Sequence, residues 1–209
     1  MLKKFILILT PLFLLASWEE VAVKGFDVII SANIGDAQNF KNSLNSLIDR
    51  ASKEYAKSGI SEYELDLPQF ITKRAGTDSL AIRTMRHSLT QNLSPAIPSL
   101  KQILQNQIAS MSEEDTRAIM DGNATLAHYI RTNAFDEIYA AIRPHVENLA
   151  NDTSFAKSYK NAMGSDIGEN FVSEFTNELL NDAFDTLVQN ENEFRANTNA
   201  VFNAIKAIR

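Results

Sequence analysis

Four carboxylates, Glu174, Glu178, Asp182 and Asp185, follow one another at steps of four, four and three residues. On a helix that spacing gathers them on one face, where they could hold a divalent cation. Phe175, Leu179, Ala183 and Phe184 occupy the other side of the same stretch, so the plainer expectation is the solvated face of an amphipathic helix. Calcium sites draw further oxygens from a turn, which this run does not supply. The histidines His87, His128 and His145 are scattered, with no pair at helical metal-binding spacing, and each reads as an exposed or hydrogen-bonded side chain. There is no cysteine, which excludes thiolate catalysis and cysteine metal sites. Phosphate loops, dinucleotide glycine patterns and nucleophile elbows do not occur. These patterns point to no metal, no cofactor and no catalytic residue.

Two further groups have chemical potential. Tyr129 and Arg131, with Glu191 and Arg195 far along the chain, are polar residues on otherwise apolar helical stretches, and could meet in a cleft between helices as a ligand-binding or catalytic group. The preferred account is structural, an Arg131–Glu191 ion pair that locks two helices together. Asp121 to Thr125 reads Asp-Gly-Asn-Ala-Thr, so Asn123 heads an Asn-Ala-Thr glycosylation acceptor with an acid two residues before it. That preceding acid is what some bacterial periplasmic glycosylation systems require. The acceptors at Asn92 and Asn151 lack it. Asn123 also suits the cap of a following helix.

The elements that must position these residues are marked by their ends. Ser112 is placed to cap a helix whose first turn, Glu113, Glu114 and Asp115, is acidic, and Asp115 falls where a capping-box partner stands. Gly122 ends that helix. Leu126, Ile130, Phe135, Ile138, Ile142, Val146 and Leu149 then form the apolar stripe of a long helix, in which Pro144 predicts a kink or break near Arg143. Phe40, Leu44, Leu47, Ile48, Ala51 and Tyr55 predict another, capped by Asp36 and closed by Gly59. Pro68 suits the first turn of a short helix; Thr77 or Asp78 starts one that runs to about Leu93. Pro95 and Pro98 enforce a break before the face of Leu100, Ile103, Leu104, Ile108 and Met111. Phe171 to Leu187 carries the most apolar face of all, and Asn197 to Arg209 is expected to add a final short helix. Val21 to Ile30 is apolar but too short for its period to decide its state. The expectation is an all-α fold: one domain of about seven to nine amphipathic helices around one core, over residues 37–209, with no fixed-period repeat.

The run from Met111 to Met163, with Gly122, Ala124, Thr125, Tyr129, Arg131, Pro144, Val146 and Tyr159 in order, resembles the domain-of-unknown-function family 4197. Leu65, Leu67 and Pro68 resemble its short apolar-proline segment, Met85 the start of its next helix, and Glu191, Phe194 and Arg195 its acidic patch followed by an aliphatic position and arginine. The likeness covers roughly Leu44 to the C-terminus. It implies an exported helical protein of Gram-negative bacteria, often lipid-anchored in that family, and offers no catalytic residue. Two features depart from the pattern: Thr198 stands near the family's proline, and the lipid-bearing cysteine is missing.

Composition agrees with one substantial core, since 209 residues at 44% hydrophobic content are ample for it. Lys3 and Lys4, the apolar run Phe5 to Leu15, and the small residues Ala16 and Ser17 have the three-part layout of a secretory signal, too short to span a bilayer comfortably. Trp18 stands where a lipoprotein would carry its cysteine. The expectation is a signal peptide at 1–17, a poorly defined segment at 18–36, and a periplasmic product without stable membrane insertion. The formal charge of -6 becomes more negative when Lys3 and Lys4 leave, which opposes nucleic-acid binding and docking on anionic lipid. Seven of the twelve phenylalanines lie beyond residue 130, which favours a non-enzymatic binding or envelope-associated protein with a groove for a small apolar ligand or an envelope protein segment. The alternatives are an enzyme with an inter-helix site near Arg131 and Glu191, and a structural or oligomerising helical protein.

Overall fold

The computed structural model describes residues 36–58, 65–76 and 79–207, and the expectations for residues 1–35, Gly59, Thr77 and Asp78 lie outside them. Among the described residues there are eight α-helices and no strand: α1 (Ala37–Ser58), α2 (Gln69–Ala75), α3 (Leu80–Leu93), α4 (Ile97–Ser110), α5 (Glu113–Met120), α6 (Leu126–Ala150), α7 (Thr153–Met163) and α8 (Phe171–Ala207). A 3-10 turn, Ser94–Ala96, joins α3 to α4. The all-α expectation therefore holds, in one domain with a continuous core from Phe40 to Phe184.

Local chemistry accounts for most helix ends. The Asp36 carboxylate accepts from the amides of Gln38 and Asn39, both at 3.0 Å, and starts α1. The Ser112 hydroxyl accepts from the Asp115 amide at 3.0 Å, while its own proton is donated to the Asp115 carboxylate at 2.5 Å. The acid thus returns to the serine side chain, where a capping box would return it to the backbone. Gly122 closes the turn after α5 at φ 80°, a left-handed conformation that glycine tolerates without a side-chain clash. Pro95 and Pro98 sit in the first positions of the 3-10 turn and of α4, where a missing amide costs no helical hydrogen bond.

Helix α6 is the hub, packing on α3, α4 and α8. Its buried row is Leu126, Ile130, Ala134, Ile138, Ile142, Val146 and Leu149. The row passes through Ala134, and Phe135 lies on its flank against the ring of Phe184, 6.1 Å away. No break occurs at Pro144, which lies inside the helix. Pro144 and Ala140, whose carbonyl loses its helical partner, are both exposed, so the lost bond falls on the solvent side while the buried face continues.

Three other boundaries differ from expectation. Ser79 caps α3 through its bond from the Ile82 amide, 3.2 Å, a residue or two beyond the start read from Thr77 or Asp78. Thr125, not Asn123, caps α6, accepting from the His128 amide at 3.1 Å. The final short helix is not separate: α8 runs unbroken to Ala207. The polar residues Asn197, Thr198 and Asn199 blur the apolar period there, but no glycine or proline follows Gly168, so nothing stops the helix.

Candidate functional site

As residue numbers rise on α6 they fall on α8: Leu126 meets Glu191, Arg131 meets Asp185, and Phe135 meets Phe184. The two helices are therefore antiparallel, and this register decides which polar groups meet. The Arg131 guanidinium donates to Asp185 at 2.7 Å and to Asn181 at 2.8 Å, and lies 6.0 Å from the centroid of the Phe184 ring. Asp185 is 70% exposed, so solvent screens this pair and it contributes at most about 1 kcal/mol. It forms where core packing of the two helices brings these side chains into register, and adds little to that packing.

Glu191 stands beyond it at the start of α6. One carboxylate oxygen accepts from the Leu126 amide at 3.0 Å and the other from the Ala127 amide at 3.2 Å. A carboxylate 65 residues away thus serves the free amides at the positive end of the α6 dipole, alongside the Thr125 hydroxyl. The ion pair of Arg131 is with Asp185, in place of the expected link to Glu191. Tyr129 lies two residues from Arg131 on α6, which turns its side chain about 200° away around the helix, and it packs half-buried against the core. Arg195 belongs to α8, one turn past Glu191; its side chain lies outside the described residues. The structure brings Arg131, Asp185, Asn181 and Glu191 to one seam and turns Tyr129 away from it.

The four-carboxylate row divides by environment. Glu174 and Glu178 are exposed, as a solvated face requires. Asp185 binds Arg131, and Asp182 crosses to α2, where its carboxylate accepts from the Gln69 amide at 2.7 Å. No group of His, Cys, Asp or Glu among the described residues is arranged to hold a metal ion. The role of Asp182 escaped the sequence reading because nothing near residue 69 in the chain advertises a missing cap except Pro68, which has no side chain able to serve as one.

Burial pushes the Asp182 carboxyl up from its ordinary value of 3.8, and the neighbouring Asp185 carboxylate adds to this; the Gln69 amide and Lys73 act in the opposite direction. The folded chain therefore retains a proton that the unfolded chain has released just above pH 3.8. This group's contribution to stability is fully present below that pH and is lost as pH rises through the folded value. Asp182→Asn keeps an oxygen for the Gln69 amide and removes the buried charge. We expect its urea midpoint to exceed that of the parent at pH 7, with the difference shrinking as pH falls toward 3.8. A difference that stays constant across that range contradicts this account.

Under α2 the rings of Phe70, Phe155, Tyr159, Phe171 and Phe175 form a cluster joining α2, α7 and the start of α8, with centroid separations from 4.9 to 6.3 Å. Phe155, Phe171 and Phe175 are buried, whereas Phe70 and Tyr159 are half-buried at its edge. Burial raises the Tyr159 phenol above its ordinary value, against the lowering effect of Arg74, so the ring stays neutral and its hydroxyl remains a donor.

Fold and seam together define an all-helical, single-core protein whose longest helix supplies side chains to the starts and flanks of its neighbours. The family profile for the protein of unknown function DUF4197 matches residues 37–206, and the chain belongs to that family. No curated protein and no solved structure matches the chain. No helix among the described residues is long and apolar enough to cross a membrane.

Proposed function

We propose that this DUF4197 protein is exported to the periplasm of a Gram-negative bacterium, loses residues 1–17, and acts there without catalysis as an envelope-associated binding protein. Its ligand is a small apolar molecule or an apolar segment of an envelope protein, taken up beside α2. The observation that carries this reading is the aromatic cluster, whose buried rings reach the surface through Phe70 and Tyr159. α2 has only seven residues and its first amide is held by a single carboxylate, Asp182, so it is the element best suited to shift and expose those rings. The lysine-led apolar run at residues 3–15 supports export, and the net negative charge disfavours nucleic acid as a partner. The catalytic alternative at Arg131 and Glu191 has less support, because both groups already serve helix packing through Asp185, Asn181 and the α6 amides.

Native mass spectrometry on protein exported by its own host and purified without detergent tests this. The expected result is a chain lacking residues 1–17 that carries an apolar adduct, with the adduct lost in a folded Phe70→Ala variant. A bare chain in both cases overturns the small-ligand reading, and a chain that keeps its leader in the cytoplasm overturns export.

A further inference from the structure

Three asparagines head an Asn-X-Ser/Thr acceptor, and the fold treats them differently. Asn92 lies half-buried within α3, and its side-chain amide donates to the Ser88 carbonyl at 2.9 Å. Asn151 follows the last turn of α6, and its amide donates to the Glu147 carbonyl at 2.9 Å. In both, the nitrogen that would have to react is already engaged by a helix. Asn123 is exposed in the turn between α5 and α6, and its side-chain amide has no hydrogen-bond partner among the described residues. Only its backbone is held, by a 2.8 Å bond to the Ala118 carbonyl.

The flanking residues are presented with it. Asp121 and Gly122 are exposed, so the acid two residues before Asn123 is open to a cationic partner. Thr125 is half-exposed. Its hydroxyl oxygen accepts from the His128 amide, a bond that leaves the hydroxyl proton available to an enclosing enzyme. Thr125, rather than Asn123, serves as the α6 cap, so a substituent on Asn123 disturbs no capping bond.

We propose that Asn123 is an N-glycosylation site of the folded protein. The donor class is an oligosaccharide linked through its anomeric carbon to a polyprenyl diphosphate. The Asn123 Nδ2 attacks that carbon, the bond from carbon to phosphate oxygen breaks, polyprenyl diphosphate leaves with the electron pair, and one amide proton passes to a base of the transferase. Asp121 makes the transferase one that reads an acid at this position. Because such transferases work outside the cytoplasm, occupancy in the cell rests on the export proposed above; the acceptor geometry does not.

The full folded chain is incubated with a purified bacterial single-subunit oligosaccharyltransferase and a polyprenyl-diphosphate oligosaccharide, and intact mass and peptide maps are recorded. One glycan at Asn123 is expected, absent from Asn123→Gln, with Asp121→Asn slowing transfer about tenfold through loss of a charge-assisted contact. Circular dichroism checks that both variants fold. An unmodified folded chain, or first modification at Asn92 or Asn151, overturns the assignment. Co-expression of chain and transferase in cells separates the two readings. An acceptor that works in the tube but stays unglycosylated in a cytoplasmic pool overturns export and leaves the site standing.

Discussion

Replacement of Phe175 by alanine is expected to lower the unfolding free energy by about 3–5 kcal/mol, the range for truncating a fully buried phenylalanine. Phe175 has no exposed surface, and its ring lies 4.9 Å from Phe171, 6.0 Å from Phe155 and 6.3 Å from Phe70. Removing it takes out the ring that α2, α7 and α8 share, and the surrounding rigid rings cannot collapse into the space. The loss therefore includes a cavity term in addition to apolar transfer. Phe175→Leu, which retains most of the volume, is expected to cost clearly less. Urea unfolding of the two variants decides it: equal losses would mean that the cluster relaxes around the smaller side chain and is not close-packed.

The second large effect is expected at Glu191, although its side chain is only half-buried. Glu191→Ala should cost about 2–3 kcal/mol, because it leaves the amides of the buried residues Leu126 and Ala127 without their acceptor and removes a negative charge from the α6 N-terminus. In a chain of this size that corresponds to a fall in Tm of roughly 5–10 °C. Glu191→Gln retains one oxygen for one amide and should lose about half as much. Calorimetry of the pair provides the check. A Glu191→Ala variant as stable as the parent would show that water satisfies these amides and that the cross-helix cap contributes little.

Both predictions depend on contacts of different sequence range, and that range decides what could be read without coordinates. Ser112 with Asp115, Asp36 with Asn39, and Gly122 after α5 are bonds or conformations closed within a few residues, so residue type and spacing suffice to locate them. Where two neighbours are both competent, residue type cannot rank them, and the reading of Asn123 as the α6 cap fails for that reason. Asn123 and Thr125 are each good caps, and the chain uses Thr125 because the turn bonds from Asn123 and Ala124 to the Ala118 carbonyl hold residue 123 before α6 begins. Pro144 predicts a kink or a break because its missing amide is a local fact; that the helix runs on without a break, with the lost bond on its exposed side, is not.

By itself the sequence determined the all-helical class, most helix starts and stops and the single core, since helical period, caps and breakers act over a few residues; the DUF4197 family was legible from its resembling residues, and the family profile shows it. Tertiary structure alone decided the partners of the polar groups. Arg131 meets Asp185 54 residues away, Glu191 serves α6 over 65 residues, and Asp182 serves α2 over 113. Carboxylates on one helix look alike in sequence. Their roles are separated by the antiparallel register of α6 and α8 and by the place where α2 docks, both set by side-chain packing in the core rather than by any local signal.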